Sequence, residues 1–379
     1  MRQSKRGQVD PFLAMDVMRA AAEAEAAGRD IVHMEVGQPA TPAPAGARAA
    51  VAQALETQPL GYTVALGLPE LRQGIADLYK RWYGIDLDPR RVVITSGASG
   101  AFLLAFTALF DAGARVGLGE PGYPSYRQIL KGLSVEPVGI PTEVQNRYQP
   151  VPADVPGDLD GLIVASPGNP SGTMLDAPAL RALIEHCAAH DIAFVSDEIY
   201  HGLHYERPAV SALEISDDVF VINSFSKYFS MTGWRIGWMV VPESHLRTVE
   251  RLGQHMFICP SHASQIAALG ALGSTEELDG HVANYARNRA MMLEALPKMG
   301  FASIAPPDGA FYIYADVSDL TNDSARFAAE ILEEVGVAVT PGRDFDADRG
   351  ARSLRLSYAG SPERIAEGLR RLAQFMAAR

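Results

Sequence analysis

The run Val219-Phe220-Val221-Ile222-Asn223-Ser224-Phe225-Ser226-Lys227 decides how the rest of the chain is read. Residues 219–223 are β-branched or apolar up to an amide, with no polar alternation, which predicts a strand buried on both faces. It ends in small hydroxyl residues and a lysine, so whatever Lys227 does happens at a strand end. The same short apolar runs occur at 92–95, 116–118, 162–165 and 192–196. Longer helical patterns, such as 101–110 and 178–190, lie between them. Strands alternating with helices predict an α/β fold with a mostly parallel sheet sandwiched by helices, whose ligands gather beyond the carboxyl ends of the strands.

Outward from that sheet the pattern changes. The alanine-rich stretch 20–27 predicts a helix, and the proline-rich segment 39–44 separates it from the main sheet. After about residue 285 come a long helix, strand candidates at 310–315 and 353–358, and a terminal helix whose arginines, from Arg364 to Arg379, read as a solvated face. The expected organisation is a large domain over 45–285 and a smaller α+β domain made discontinuously from 1–44 and 286–379.

Composition narrows the function classes. The 379 residues carry a formal charge of −12. An acidic surface opposes nucleic-acid binding, because phosphate backbones are held by clustered Lys and Arg. No apolar run approaches the roughly 20 residues that span a bilayer, and none follows the basic start Arg2, Lys5, Arg6 as an export signal would. Two cysteines, Cys187 and Cys259, argue against a disulfide framework, so the expected location is the cytoplasm.

Five strand-end segments carry residues suited to chemistry. Lys227 is followed eight positions on by Arg235; a partly desolvated lysine has a depressed pKa and can condense with an aldehyde and move protons. Asp197 ends an apolar strand with Tyr200 three residues later. As plain structure Asp197 is a helix cap and Tyr200 a packing residue; as chemistry, the carboxylate keeps a ring nitrogen protonated and the phenol reaches a neighbouring oxygen. The small residues of Thr95-Ser96-Gly97-Ala98-Ser99-Gly100 sit between a strand and a helix, either as a tight turn or as a cradle for an anion, with Ser226 and Arg235 adding charge-assisted bonds. In Ser166-Pro167-Gly168-Asn169-Pro170 the Asn169 amide can donate to a ligand oxygen, and in Glu120-Pro121-Gly122-Tyr123-Pro124 the Tyr123 ring offers a stacking face.

These blocks, in this order, resemble the class I/II aminotransferases of the fold type I pyridoxal-phosphate family. The likeness runs from Gly37-Gln38-Pro39 through Ser224-to-Gly237 to Arg355, and the Asn-Pro-Ser-Gly-Thr, Asp-x-x-Tyr and Ser-x-Ser-Lys blocks are jointly specific. The resemblance implies that Lys227 holds pyridoxal 5′-phosphate as a Schiff base, that Asp197 partners its ring nitrogen, and that Tyr200 and Asn169 partner the ring hydroxyl oxygen. It makes Tyr123 the stacking aromatic and Ala98, Ser99, Ser224, Ser226 and Arg235 the phosphate cup. Tyr62, in Gly61-Tyr62-Thr63, matches a tyrosine that reaches the phosphate of a neighbouring subunit, which implies a homodimer. Arg355 matches the arginine that takes the substrate α-carboxylate, with Gly37 and Asn169 assisting. The implied activity is transfer of an amino group between an L-amino acid and a 2-oxo acid with ping-pong kinetics.

Three other readings compete. Gly117-Leu118-Gly119-Glu120-Pro121-Gly122 satisfies the dinucleotide-binding pattern, yet its prolines predict an extended turn where that fingerprint must open a helix. A carbon–sulfur β-lyase shares all these motifs, and a noncatalytic cofactor-binding module is the remote third. Ser99 stands where some relatives carry a lysine that reads an acidic side chain, which weakens a dicarboxylate substrate. Phe12, Leu13, Phe257, Phe311 and Tyr312 are candidates for an apolar substrate pocket. The pair His201 and His204 lacks companions for a metal site, so no metal is expected.

Overall fold

The structure is a computed structural model describing residues 1–301 and 303–379. Its strands, in chain order, are β1 (Val32–His33), β2 (Val92–Thr95), β3 (Arg115–Glu120), β4 (Glu136–Pro141), β5 (Gly161–Ala165), β6 (Ala193–Asp197), β7 (Phe220–Ser224), β8 (Gly237–Val240), β9 (Ser303–Ile304), β10 (Tyr312–Asp316), β11 (Val337–Ala338), β12 (Thr340–Pro341) and β13 (Ser353–Ser357). A seven-stranded sheet runs in the order β2-β8-β7-β6-β5-β3-β4. All its strands are parallel except β8, which lies antiparallel between β2 and β7. The α/β expectation holds, with a smaller antiparallel sheet β12-β13-β10-β9 beside it.

Alternation on the strands explains the sandwich. On β5, Leu162 and Val164 join one apolar cluster and Ile163 the other; on β7, Val221 faces the first, with Phe220 and Ile222 in the second. Both faces are covered by helices, so the central strands are apolar up to the polar residues at their carboxyl ends. The helix expected at 101–110 begins earlier, as Gly97–Leu109, because Gly97 takes a positive φ of 70° that turns the chain directly out of β2. The helix expected at 178–190 is Ala177–Ala189, opened by Asp176, whose carboxylate accepts from the Ala179 N–H.

Two strands of the large sheet escape the sequence pattern. β4 reads Glu-Pro-Val-Gly-Ile-Pro and lies at the sheet edge, the position where a strand tolerates proline. β8 is four residues long and runs against the parallel majority. Its direction matters: Gly237, at its start, pairs with both Thr95 and Ser224 at the ends of β2 and β7. Arg235 therefore arrives at the same end of the sheet as Lys227.

On the terminal helix Pro362–Ala377, Arg364 and Arg370 are solvated as expected, whereas Arg371 is mostly covered and donates to the Asp30 carbonyl; Arg364 and Arg371 pair with Asp30 and Arg370 with Glu367. Among the described residues, no helix is long and apolar enough to cross a membrane.

Candidate active site

Five strand ends and the segment leading into β8 surround one cleft of about 230 Å³. Gly37, Ala98, Ser99, Tyr123, Asn169, Asp197, Tyr200, Ser224, Ser226, Lys227, Arg235 and Arg355 all line it. Residues spread over more than 300 positions of sequence thus meet in one place. Tyr62 does not join them: its side chain is 83% exposed, outside the cleft of its own chain.

Lys227 follows β7 and turns its ammonium inward, donating to the Gly37 carbonyl at 2.6 Å. The nitrogen lies 5.6 Å from the Tyr200 ring centroid and 6.0 Å from that of Phe311. Burial, seconded by the positive charge of Arg355, lowers its pKa to about 8; Asp197 pulls the other way. A fraction of the amine is neutral near physiological pH, the state a nucleophile and proton carrier needs.

Asp197 ends β6 and is buried. Its Oδ1 accepts from the Ile199 N–H at 3.1 Å, but this closes a turn and no helix starts there, so the helix-cap expectation gives way to an Asx turn at the strand end. Its Oδ2 accepts from the Tyr126 hydroxyl. Burial raises the carboxyl to about 6, and those two donors hold it from going higher. A cation in the cleft would favour its ionised form further. Tyr200 shares a hydrogen bond of 2.8 Å with the Tyr312 hydroxyl.

At the other end of the cleft, the helix Gly97–Leu109 starts without a side-chain cap, leaving its first N–H groups available. The Ser224 hydroxyl donates to Ser226 Oγ at 2.9 Å. Arg235, at φ 51°, folds its guanidinium over Gly97, where an added Cβ would lie 2.5 Å from a guanidinium nitrogen. Two hydroxyls, a guanidinium and a helix start form a cup for a tetrahedral oxyanion.

Arg355 sits in the middle of β13, only 2% exposed. It donates to Asn169 Oδ1 at 3.0 Å, to Thr340 Oγ1 at 3.2 Å and to the Glu35 carbonyl. Its carbon Cζ lies 4.5 Å from the Tyr312 ring centroid and 4.7 Å from that of Phe345. All three acceptors are neutral, and among the described residues no carboxylate lies within ion-pair distance of this buried cation, although Asp344 is near enough to feel its charge. Gly37, expected to assist at the carboxylate end, lines the same cleft as Arg355 and Asn169, and its carbonyl faces Lys227.

Several expectations need correction. Phe12 and Tyr312 line the cleft, but Leu13 and Phe257 do not. The Leu13 N–H is tied to Asp344 at 2.9 Å, and Phe257 packs away from the cleft near Ile94 and Leu104. Phe311 lies behind Lys227 as core. Ala14, Met15, Val36, Phe102, Ile129 and Ile199 supply most of the remaining apolar wall. The nucleotide-like glycine run is strand β3 and then an extended turn, with the helix Pro124–Gly132 opening only after Tyr123. His201 is a structural residue, bonded to the Ser166 carbonyl at 2.8 Å and the Tyr83 hydroxyl at 2.6 Å.

Tyr126 and Glu35 escaped sequence reasoning. The spacing of Tyr123 and Tyr126, three apart at a helix start, was the available signal for the first, since it places both rings on one helix face. Nothing in the sequence marks the Glu35 carbonyl.

The fold and this constellation define a transaminase. The chain belongs to the family described as aminotransferase class I and II, whose pattern matches residues 29–372; members of that family typically use pyridoxal phosphate. It is 48% identical over 382 residues to the valine–pyruvate aminotransferase of Mycobacterium tuberculosis, covering 99% of this chain and 98% of that protein. A solved chain from Silicibacter pomeroyi is 63% identical, with a TM-score of 0.96 and full coverage of both chains. The aspartate aminotransferase of Thermus thermophilus, solved with maleate, is 32% identical, with a TM-score of 0.92 over 99% of this chain and 100% of that one.

Proposed function

We propose that this transaminase binds pyridoxal 5′-phosphate in the cleft and moves the amino group of a small apolar L-amino acid to a 2-oxo acid, with L-valine and pyruvate as the first pair to test. The observation carrying the reading is that Lys227, Asp197 and the cup at Arg235 face one cleft, with Arg355 buried beside them and, among the described residues, without a contact ion pair. Each group suits a different part of the same cofactor. The hydroxyls of Ser224 and Ser226, the N–H groups at Ala98 and Ser99 and the Arg235 guanidinium fit a phosphate monoester. The Tyr123 ring fits a flat aromatic face, Asp197 a protonated ring nitrogen, and Tyr200 and Asn169 a ring oxygen.

When bound, pyridoxal phosphate supplies an aldehyde for the incoming amine and a conjugated ring that accepts the electrons left at the α-carbon. The chain's residues do the rest. Arg355 takes the substrate α-carboxylate as a planar fork, adding the counter-ion it lacks. Asn169, its Oδ1 occupied by Arg355, presents its amide N–H groups. Lys227 holds the cofactor at rest and, once freed, carries the proton to and from the α-carbon. Asp197, ionised and anchored by Tyr126, keeps its partner nitrogen cationic.

Substrate choice is supported by charge. Apart from Lys227, Arg235 and Arg355, no Lys or Arg of this chain lines the cleft among the described residues, so the chain itself offers no further cation to a side-chain carboxylate. The relative named for valine and pyruvate points the same way. Tyr62, exposed on its own chain, supports a homodimer in which it reaches the neighbouring cup. The distribution of sheets supports a cofactor-binding unit over 45–285 and a smaller unit from 1–44 with 286–379. Cys187 and Cys259, both free, support a cytoplasmic location.

A donor screen that follows loss of the cofactor aldehyde absorbance tests the reading. Valine and similar apolar amino acids should react, with pyruvate restoring the absorbance. Reaction confined to aspartate and glutamate would overturn the substrate assignment. Release of pyruvate from cystathionine without an oxo-acid acceptor would bring back the lyase.

A further inference from the structure

The segment from His33 to Gly37 touches both reactive cations through its backbone. The Glu35 carbonyl accepts from Arg355 and, at 2.7 Å, from the Thr340 hydroxyl. Two residues on, the Gly37 carbonyl accepts from Lys227. The segment is itself pinned: Met34 donates to the Ala338 carbonyl at 3.0 Å, and its own carbonyl accepts from the Ser357 N–H at 2.7 Å.

The side chains of this segment form a contact that plays no part in the chemistry at Lys227. Glu35 is 0% exposed, an uncommon place for a carboxylate. Its Oε1 meets His33 Nδ1 at 2.8 Å, while its Oε2 is buried without a partner. His33 Nε2 meets Glu25 Oε1 at 3.1 Å, on the helix Leu13–Ala26. With both ring nitrogens on carboxylates, His33 is held as an imidazolium. The Glu35 bond, ahead of the smaller contribution of Glu25, raises its pKa to about 9.

A buried carboxylate with one charged partner fixes the backbone that carries it, because leaving that partner means an unpaired charge in the interior. We propose that His33 and Glu35 are positioning residues: their ion pair sets the Glu35 carbonyl against Arg355, and so holds the guanidinium ready for the substrate carboxylate. Neither side chain lines the cleft. This rests on the reading of Arg355 as the carboxylate site.

His33 is partly exposed, so it can be changed without opening the core. In the cofactor-loaded protein, His33→Ala should raise KM for L-valine and weaken equilibrium binding of a 2-oxo acid, followed by calorimetry, by about fivefold to tenfold, with kcat changed less than about twofold. His33→Asn, whose amide nitrogen restores a donor to Glu35 but not the positive charge, should recover part of that loss. Arg355→Ala serves as the reference. If Arg355→Ala raises KM and His33→Ala does not, the positioning role is wrong while the carboxylate site stands. If Arg355→Ala leaves KM and binding unchanged, the carboxylate site itself is wrong. A fall in kcat alone on His33→Ala, or equal losses in the Ala and Asn variants, would also overturn the role.

Discussion

Arg355 donates to Asn169 Oδ1 at 3.0 Å, and this one bond fixes which way the Asn169 amide points. Arginine has no acceptor to offer, so the amide oxygen must face it and the NH₂ group must face elsewhere. A residue on β13 thereby orients one on the loop after β5. Asn169→Asp would set a carboxylate against Arg355 and occupy it. Steady-state kinetics should show kcat/KM for L-valine falling by about a hundredfold or more, mostly through KM. An Asp variant within about threefold of the parent would mean that Arg355 is not the carboxylate site.

Tyr126 holds down the pKa of Asp197 by donating to its carboxylate. Tyr126→Phe removes that donor without leaving a large void. The acid limb of the pH–rate profile should then move upward by about one unit. A limb that stays in place, or moves down, would show that the bond does not govern the catalytic ionisation.

The cofactor-free protein should feel the buried carboxylate as a stability cost. The folded-state pKa of Asp197, about 6, lies above its ordinary value of 3.8. The folded state therefore binds the proton more tightly, and the stability this gives is full below the ordinary value and is lost as pH rises toward and through about 6. In thermal melts of the cofactor-free protein between pH 4 and 7, Asp197→Asn should lose stability with rising pH less steeply than the parent. A steeper loss in the variant would contradict the sign.

Lys227 titrates the other way. Its pKa is lowered from 10.5 to about 8 by burial and the Arg355 charge. Only the neutral amine attacks an aldehyde. The rate at which added pyridoxal phosphate is taken up should rise with pH and level off above about 8, as read by stopped-flow absorbance. A rate still climbing in proportion to hydroxide at pH 10 would place the amine in an ordinary solvated setting.

Much of the site was legible in the sequence because the reactive residues follow apolar runs. Lys227, Asp197 and Asn169 each come at or just past the end of a strand that the pattern located within a residue or two, and a parallel sheet gathers such ends. Arg355 was legible through its place in the family pattern, since no local signal distinguishes it from a structural arginine. The rest depended on tertiary pairing. β4 hid behind edge-strand prolines, and β8 is too short to signal its reversed direction, although that reversal brings Arg235 to the cup. The Tyr126–Asp197 bond joins a helix to a strand end 71 positions apart. The contact of Arg355 with the Glu35 backbone involves no side-chain type on the Glu35 side, so no residue pattern can announce it.

The central claim is that Lys227 is the residue holding the cofactor. Loading the protein with pyridoxal phosphate, reducing with borohydride and mapping the peptides by mass spectrometry tests it directly. The added cofactor mass should fall on Lys227 and be absent from the Lys227→Ala protein. Stoichiometric label on Lys80, Lys131 or any other lysine, with Lys227 unmodified, would contradict the account.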